Sequence, residues 1–412
     1  MNRQLTAFCI FLLLSTLLAG CWDQVQIEER GFVVGVAIDK PRTNEAEQQA
    51  KQEAPDKPQV KERFLVTHQF VVPGGLISGG QGSGGGGGQN TANEAYLNLI
   101  SEGDSLFEIS RELATRTSRT PFYQHMKILI VSEDIARTKN GFARALDFYL
   151  RDPDSRRSSK VFISNGLAKE VLEVKPKTEK LPAIYVNSIG ENVNKNSRML
   201  PEVRLGDVHE ELLSSYSFVV PRIRAEKQEV KLAGSAVFTH ENQLIGFLGE
   251  EETEGLNFLT GKVKGGMVKG KFKNNLVSMN IQGIKHGIKA DLRDQQHMKF
   301  TINIECEGTL AESYATMDSL NNTAMGKLEQ VFAEEIERMS NDTVKKVHKQ
   351  MKVDVIKLGS YLKQHHFSLW KKIRHDWETG QHLYEKSEIT VQAKVYLRNI
   401  GAINRTERQN NR

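Results

Sequence analysis

Three segments near the C-terminus alternate strictly between apolar and polar residues, and this alternation constrains the fold more than anything else in the chain. Val277, Met279 and Ile281 form the first set, Met298, Phe300, Ile302, Ile304 and Cys306 the second, and Ile389, Val391, Ala393, Val395 and Leu397 the third. Successive strand side chains point to opposite faces, so this period predicts an antiparallel sheet with one buried face. Between the second and third sets, Met325, Leu328, Phe332, Ile336, Met339, Val347 and Met351 recur at helical spacing. They predict one long helix whose apolar stripe covers that face. Cys306 reads as a buried strand residue rather than a catalytic thiol, because its neighbours keep the alternation. Trp370 and Trp377, seven residues apart, are expected on one face of a further helix, as core.

The first half has a different rhythm. Residues 32–38 and 63–72 predict two strands of a hairpin with a long polar excursion between them, with Val66, His68 and Phe70 on one side of the second. A helix is expected from Asp104-Ser105, with Leu106, Ile109 and Leu113 on one face. Strands at 123–131 and 160–164 then alternate with helices at 141–150 and 167–174, which suggests an α/β or α+β domain reaching to about residue 200. Strands at 217–224, 230–238 and 243–248 and a helix at 250–260 follow. The expected organisation is mixed α/β (α+β) in three domains: 21–199, a small middle unit at 200–275, and the sheet with its long helix at 276–400, ending in a polar tail at 401–412.

The N-terminus is a targeting segment. Arg3 is the only charge in 1–20, residues 5–17 are almost all apolar, and Leu18-Ala19-Gly20-Cys21 closes the run. A basic start, a short apolar stretch and small residues before a cut site make a secretory signal peptide, here expected to be removed as 1–20. The run is too short to span a bilayer, which needs about 20 apolar residues. Leu-Ala-Gly-Cys has the form of a bacterial lipobox, so Cys21 is the expected lipidation site, with two acyl chains giving a stable membrane anchor. Once Cys9 leaves with the signal peptide and Cys21 carries lipid, Cys306 is alone, and an intramolecular disulfide is excluded.

Several motifs dissolve on inspection. The letters GxGxxG at Gly80, Gly82 and Gly85 lie in a glycine tract at 79–88 with no helix opening behind them, so a flexible loop is expected rather than a phosphate cradle. Residues 265–271 miss a P-loop by one position, where Phe272 replaces the hydroxyl that would hold magnesium. Glu250-Glu251-Glu252 fits the first turn of a helix, where the dipole favours carboxylates without any metal. His365-His366 and His375-Asp376 lack metal-ligand spacing. With neither an HExxH motif nor a nucleophile elbow, the residues point to no catalytic, metal or cofactor site.

Charge is weak overall, +5, but uneven: residues 341–412 hold 15 Lys or Arg against 7 Asp or Glu, an excess of +8. Lys345, Lys349, Lys352, Lys371, Lys372 and Arg374 contribute to it. Export excludes nucleic acid, leaving anionic headgroups or an acidic partner as the complement.

The chain resembles the Ger(x)C lipoproteins, the C subunits of the spore germinant receptors of endospore-forming bacteria. The resemblance rests on Cys21-Trp22-Asp23 behind the lipobox, on 32–39 (FVVGVAID), 125–134 (HMKILIVSED) and 147–154 (DFYLRDPD), on 234–238 (GSAVF) running through 246–248 to 252–261 (ETEGLNFLTG), and on Asp354 to Gly359, Trp370, Trp377 and Asn399-Ile400-Gly401. Phe258 stands where many members have tryptophan. The resemblance implies a non-enzymatic lipoprotein of three mixed α/β domains on the outer face of the spore's inner membrane. Implied partners are integral-membrane A and B subunits, one of them transporter-like, in a complex that detects nutrients and triggers germination. Cys21 is the only functional position it carries over. A solute-binding lipoprotein capturing a small nutrient for a transporter is the rival reading. It would call for two doubly wound lobes rather than a meander crossed by one long helix.

Overall fold

The computed structural model describes Gln4 and residues 26–41, 63–77, 94–214, 216–314 and 322–399. Apart from Gln4, the expected signal peptide lies outside these residues. So do Cys21, the polar stretch at 42–62, the glycine tract at 79–88 and the tail at 401–412.

Two sheets carry the chain. The first contains β1 (Arg30–Asp39), β2 (Phe64–Val71), β3 (Tyr96–Gly103), β4 (Thr120–Phe122), β5 (Ile128–Ser132), β6 (Lys160–Ser164), β7 (Phe218–Glu226), β8 (Glu229–Phe238) and β9 (Leu244–Leu248). Its order is β3-β2-β1-β5-β6-β7-β8-β9, with β4 alongside the start of β1. The centre, β1-β5-β6-β7, is parallel, and antiparallel pairs flank it on both sides. The central strands read as unbroken apolar runs because both faces are covered. On one face pack α1 (Leu106–Glu112), α2 (Gly141–Arg151) and α5 (Leu205–Ser214), through Ile109, Phe142, Leu146 and Val208. On the other pack α3 (Ala168–Glu173) and α4 (Pro182–Ile189), through Val171, Leu172, Ala183 and Val186.

Across 199/200, where a domain boundary is expected from the sequence, the first sheet is continuous. The strands expected to form a separate middle unit continue the first sheet, with β7 joined to β6 through Ile163↔Arg222 and Ser164↔Ile223. The physical reason is burial on two sides: Phe218 and Val220 of β7 enter one core and Ile223 the other, and β6, buried along its whole length, would otherwise stand as a bare apolar edge. The strand expected from Tyr123 begins only at Ile128, because Tyr123–His125 forms a tight helical turn.

The second sheet has the order β10 (Gly266–Phe272), β11 (Asn275–Asp291), β12 (Lys299–Ser313), β13 (Glu388–Asn399). It starts ten residues before the boundary expected at 276. Lys273 and Asn274, both at positive φ, form a two-residue hairpin loop that joins β10 to β11. The alternation holds: Met298, Phe300, Ile302, Ile304 and Cys306 are buried on one face. One pair differs from expectation, since β13 runs parallel to β12. The helical excursion between them carries the chain back past the sheet before β13 begins, which is the crossover a parallel pair requires. That excursion contains α7 (Asn322–Val344), a wider π-helical turn at Lys345–Gln350, then α8 (Leu358–His365), α9 (Phe367–Ile373) and α10 (Leu383–Lys386). Leu328, Phe332, Ile336, Met339 and Val347 form the buried stripe over the sheet. Trp370 and Trp377 are core, as read, but not on one helix. Trp377 lies beyond α9 in a turn, and the chain folds back so that the two rings meet edge to face, 6.0 Å apart.

Candidate functional site

The two sheets meet along a polar seam, and three of the motifs that carried the family resemblance, 234–238, 252–261 and 354–359, lie along it. Its spine is α6 (Glu250–Leu259). Glu250, Glu251 and Glu252 occupy its first turn, as expected from the dipole. Each is also engaged: Glu250 with Lys231, Glu251 with Arg338 and Glu252 with Lys346. One turn on, Thr253 meets Ser235 of β8, hydroxyl to hydroxyl at 2.9 Å. Buried Glu254 accepts from Ser197 Oγ at 2.7 Å and from Arg198 Nε at 3.2 Å. Burial pushes its carboxyl up, and the two donors pull against that. Asn257 Nδ2 donates to the Ser197 and Met199 carbonyls at 2.8 and 2.9 Å. On its other side α6 lies against α7 with no room between backbones. A Cβ at Gly255 would collide with Thr343 Oγ1 and the Met339 carbonyl.

A second latch is built on Asp354. Its carboxylate accepts from Leu358 N (2.9 Å), Gly359 N (2.6 Å) and Trp377 Nε1 (2.8 Å), while its own N–H donates to Glu378 Oε1 at 2.5 Å. Burial, reinforced by the nearby Glu378 carboxylate, pushes the Asp354 carboxyl up to about 7 against these donors. The same loop reaches the first sheet, where Lys357 Nζ donates to Glu211 of α5 at 2.9 Å and to the Ser217 carbonyl at 3.1 Å.

Between the latches opens a cleft of about 140 Å³. Its floor is apolar, with Val203, Val208, Phe218, Leu256 and Val355, and Asp207, Glu211, Lys262 and Lys357 stand at its rim. A wider polar mouth of about 400 Å³ adjoins it, lined by Glu191, Glu202, Arg204 and Lys264 among others. The charges here are largely matched: Glu211 with Lys357, and Glu202 with Lys160 and Arg204. Burial raises the Glu202 carboxyl, but those two cations outweigh it and leave it below the usual range. Thr260, the one hydroxyl side chain lining the smaller cleft, donates to the Leu256 carbonyl at 2.8 Å and faces no base. The arrangement holds two sheets together, and no nucleophile–base pair is assembled in it.

The other sequence candidates scatter. Cys306 is buried in β12, and burial pushes its thiol up to about 12, so it has no nucleophilic form at neutral pH. His365 stacks on Tyr361, while His375 accepts from Arg374 Nε at 3.1 Å. Among the described residues, no group of three or more His, Cys, Asp and Glu could hold a metal ion, and no helix is long and apolar enough to cross a membrane. Residues that sequence reading missed are Ser197 and Arg198. They carry no periodic signal, and only folding brings them beneath α6.

Comparison with known proteins agrees with this geometry. Residues 23–225 match the family described as spore germination protein N-terminal domain, and 233–401 match the one described as spore germination B3/GerAC like, C-terminal. Spore germination protein YndF of Bacillus subtilis (strain 168) is 32% identical over 409 residues, covering 98% of each chain. Spore germination proteins A3 and B3 of the same organism are 26% and 22% identical over 97% of this chain. The crystal structure of the GerBC protein shares the fold, with a TM-score of 0.57 at 18% identity over 90% of this chain and 99% of that one. The chain thus belongs to the GerAC-like family of spore germination proteins.

Proposed function

We propose that this protein is the lipid-anchored C subunit of a nutrient germinant receptor, tethered through Cys21 to the outer face of the spore's inner membrane. It acts there in receptor assembly and signalling, by docking on integral-membrane A and B subunits and without catalysis. The observation that carries this reading is a lipobox, Leu18-Ala19-Gly20-Cys21, ahead of a chain that belongs to the germination family over nearly its whole length. The closed cores and the matched charges of the seam support docking over chemistry. Membrane confinement raises the effective concentration of partners, so weak interfaces suffice.

The test is direct. Mass spectrometry of the protein purified from spores should find a diacylglyceryl group on Cys21, and Cys21→Ala should leave the signal segment unprocessed. The A and B subunits should copurify with the wild type. An unmodified Cys21 would refute the anchor. Submillimolar binding of an amino acid or sugar to the purified chain would instead favour the solute-binding alternative, with the cleft at Lys262 and Lys357 as the place to look.

A further inference from the structure

From Val355 to His375 the sequence holds five Lys or Arg and three His, and not one Asp or Glu, although about a quarter of the whole chain is charged and nearly balanced. The structure gathers this stretch into α8 and α9, which fold back on each other over Trp370. Trp370 and Ile373 point inward. Phe367, Lys371 and Arg374 stand at i, i+4 and i+7 along the flank of α9 next to that buried face, with Ser368 and Lys372 further round, and all five are exposed. Phe367 leaves 62% of its surface in solvent, among the most exposed large apolar side chains of the described residues. Lys363 of α8 lies over the Tyr216 ring, and that ring rests against Trp370.

Among the described residues, no carboxylate lies within ion-pair distance of Lys363, Lys371, Lys372 or Arg374. The acids at the borders are turned to other work. Glu211 is bound by Lys357, Glu378 accepts from the N–H groups of Asp354 and Ser217, and Asp376 accepts from Gln381. Some exposed cations elsewhere meet acids, as Arg338 meets three, Lys352 meets Glu385 and Arg398 meets Glu307, while others such as Lys285, Lys289, Lys345 and Lys386 stand exposed with no acid at ion-pair distance among the described residues. What sets this corner apart is the crowding of such cations around an exposed aromatic, in a stretch that contains no acid.

We infer that the outer face of α8 and α9, centred on Phe367, Lys371 and Arg374, rests on an anionic lipid bilayer. Neither of the two clefts described above is lined by Phe367. The face is instead a helix corner whose aromatic tip is ringed by cations, the pattern that seats a helix at the headgroup boundary. This rests on the reading that the chain is held at a membrane, and it adds which surface meets the lipid.

The test uses residues 22–412, which retain both sheets and all three cores and lack the anchor. Cosedimentation is measured with phosphatidylcholine vesicles and with vesicles containing phosphatidylglycerol. The expected result is binding to the anionic vesicles only, weakened by salt. Each cation brought to an anionic surface is worth roughly a fivefold change in partition, so Lys371→Glu with Lys372→Glu should lower binding at least tenfold. Phe367→Ala should lower it severalfold. Lys285→Glu with Lys289→Glu makes the same change in net charge on the exposed outer face of β11 and should leave binding unaltered. Equal binding to neutral vesicles would overturn the assignment, and so would an equal loss from the Lys285/Lys289 control. Binding of soluble polyphosphate that is indifferent to Phe367→Ala, with no vesicle binding, would assign the face to a polyanion instead. Because this chain carries no lipid, failure here leaves the Cys21 reading standing, and that reading is tested separately on the full-length protein.

Discussion

Replacing Asp354 by alanine isolates the seam's most concentrated polar contact. The substitution strands three buried donors at once: Leu358 N, Gly359 N and Trp377 Nε1. A buried donor left unsatisfied costs about 1–3 kcal/mol. The low end suits all three here, because a loop can shift and admit water, which gives about 3 kcal/mol. The change also removes a carboxyl that burial and Glu378 hold up at about 7, and so relieves some strain at neutral pH. The net expectation is a loss of about 2–4 kcal/mol, a large share of the 5–15 kcal/mol typical of a folded protein. The assay is urea unfolding followed by tryptophan fluorescence, since two of the three tryptophans, Trp370 and Trp377, lie in this core. Trp377→Phe removes one donor and keeps an aromatic ring. Alone it should cost about 1–2 kcal/mol, and clearly less in the Asp354→Ala background. The pH dependence carries a definite sign. The Asp354 carboxyl moves from an ordinary 3.8 to about 7 in the folded state, so between those values the folded protein holds a proton the unfolded chain has released. Its contribution is therefore full below pH 4 and is lost as the pH rises through 7, and Asp354→Asn should flatten that part of the profile. A loss under about 1 kcal/mol for Asp354→Ala, or strict additivity with Trp377→Phe, would refute the reasoning.

Asn257→Ala frees the Ser197 and Met199 carbonyls beneath α6 and should cost about 1–3 kcal/mol in the same assay, without changing the denaturant slope. Gly255→Ala should do more harm than its small volume suggests, because the new methyl meets backbone and Thr343 rather than a flexible side chain; circular dichroism melts would show it. His68 is buried, and burial pushes its imidazole from 6.5 down to about 3. It stays neutral in the folded state, so its contribution is full above pH 6.5 and is lost as pH falls toward 3. His68→Gln should blunt the acid limb of the stability profile. Deleting 79–88 should shift stability by about 1 kcal/mol or less, since loop-closure entropy varies slowly with length.

Period-two alternation made the second sheet legible, because one face is buried and the other wet, and 160–164 was legible as a strand because nothing polar interrupts it. Ser105 announced α1 correctly, and in the structure its side chain accepts from Glu108 N. What stayed hidden was long-range pairing. A strand such as β7 carries no mark of whether its neighbour is β6 or a sheet of its own; the answer lies in which cores its two faces enter. The same holds for the direction of β13, set by the length and path of the helices before it and not by its own residues. Trp370 and Trp377 were legible as core but not as partners across a turn, since seven residues fit one helix as well as a fold-back. The motif residues on α6 were visible as letters, while their meaning depended on Ser197 and Arg198, 57 and 56 positions from Glu254.

The seam bears on how such a chain could transmit anything. Helix α6 is hydrogen-bonded to the first sheet's side through Glu254 and Asn257, and packed backbone to backbone on α7, which lies over the second. The Asp354 loop repeats the tie through Lys357 and Glu211. Sliding one sheet over the other would break these buried bonds together, at a cost of several times the ~1 kcal/mol of a single exposed one. Two sheets joined this way respond to a push as a single body. A partner that moved β11 or β12 would carry β8 and α5 with it, whereas a hinge between the sheets would need the buried Glu254 and Asp354 networks to open first. Motion of this protein against its neighbours is thus expected at its outer surfaces, and substitutions in the seam should lower stability well before they change how it docks.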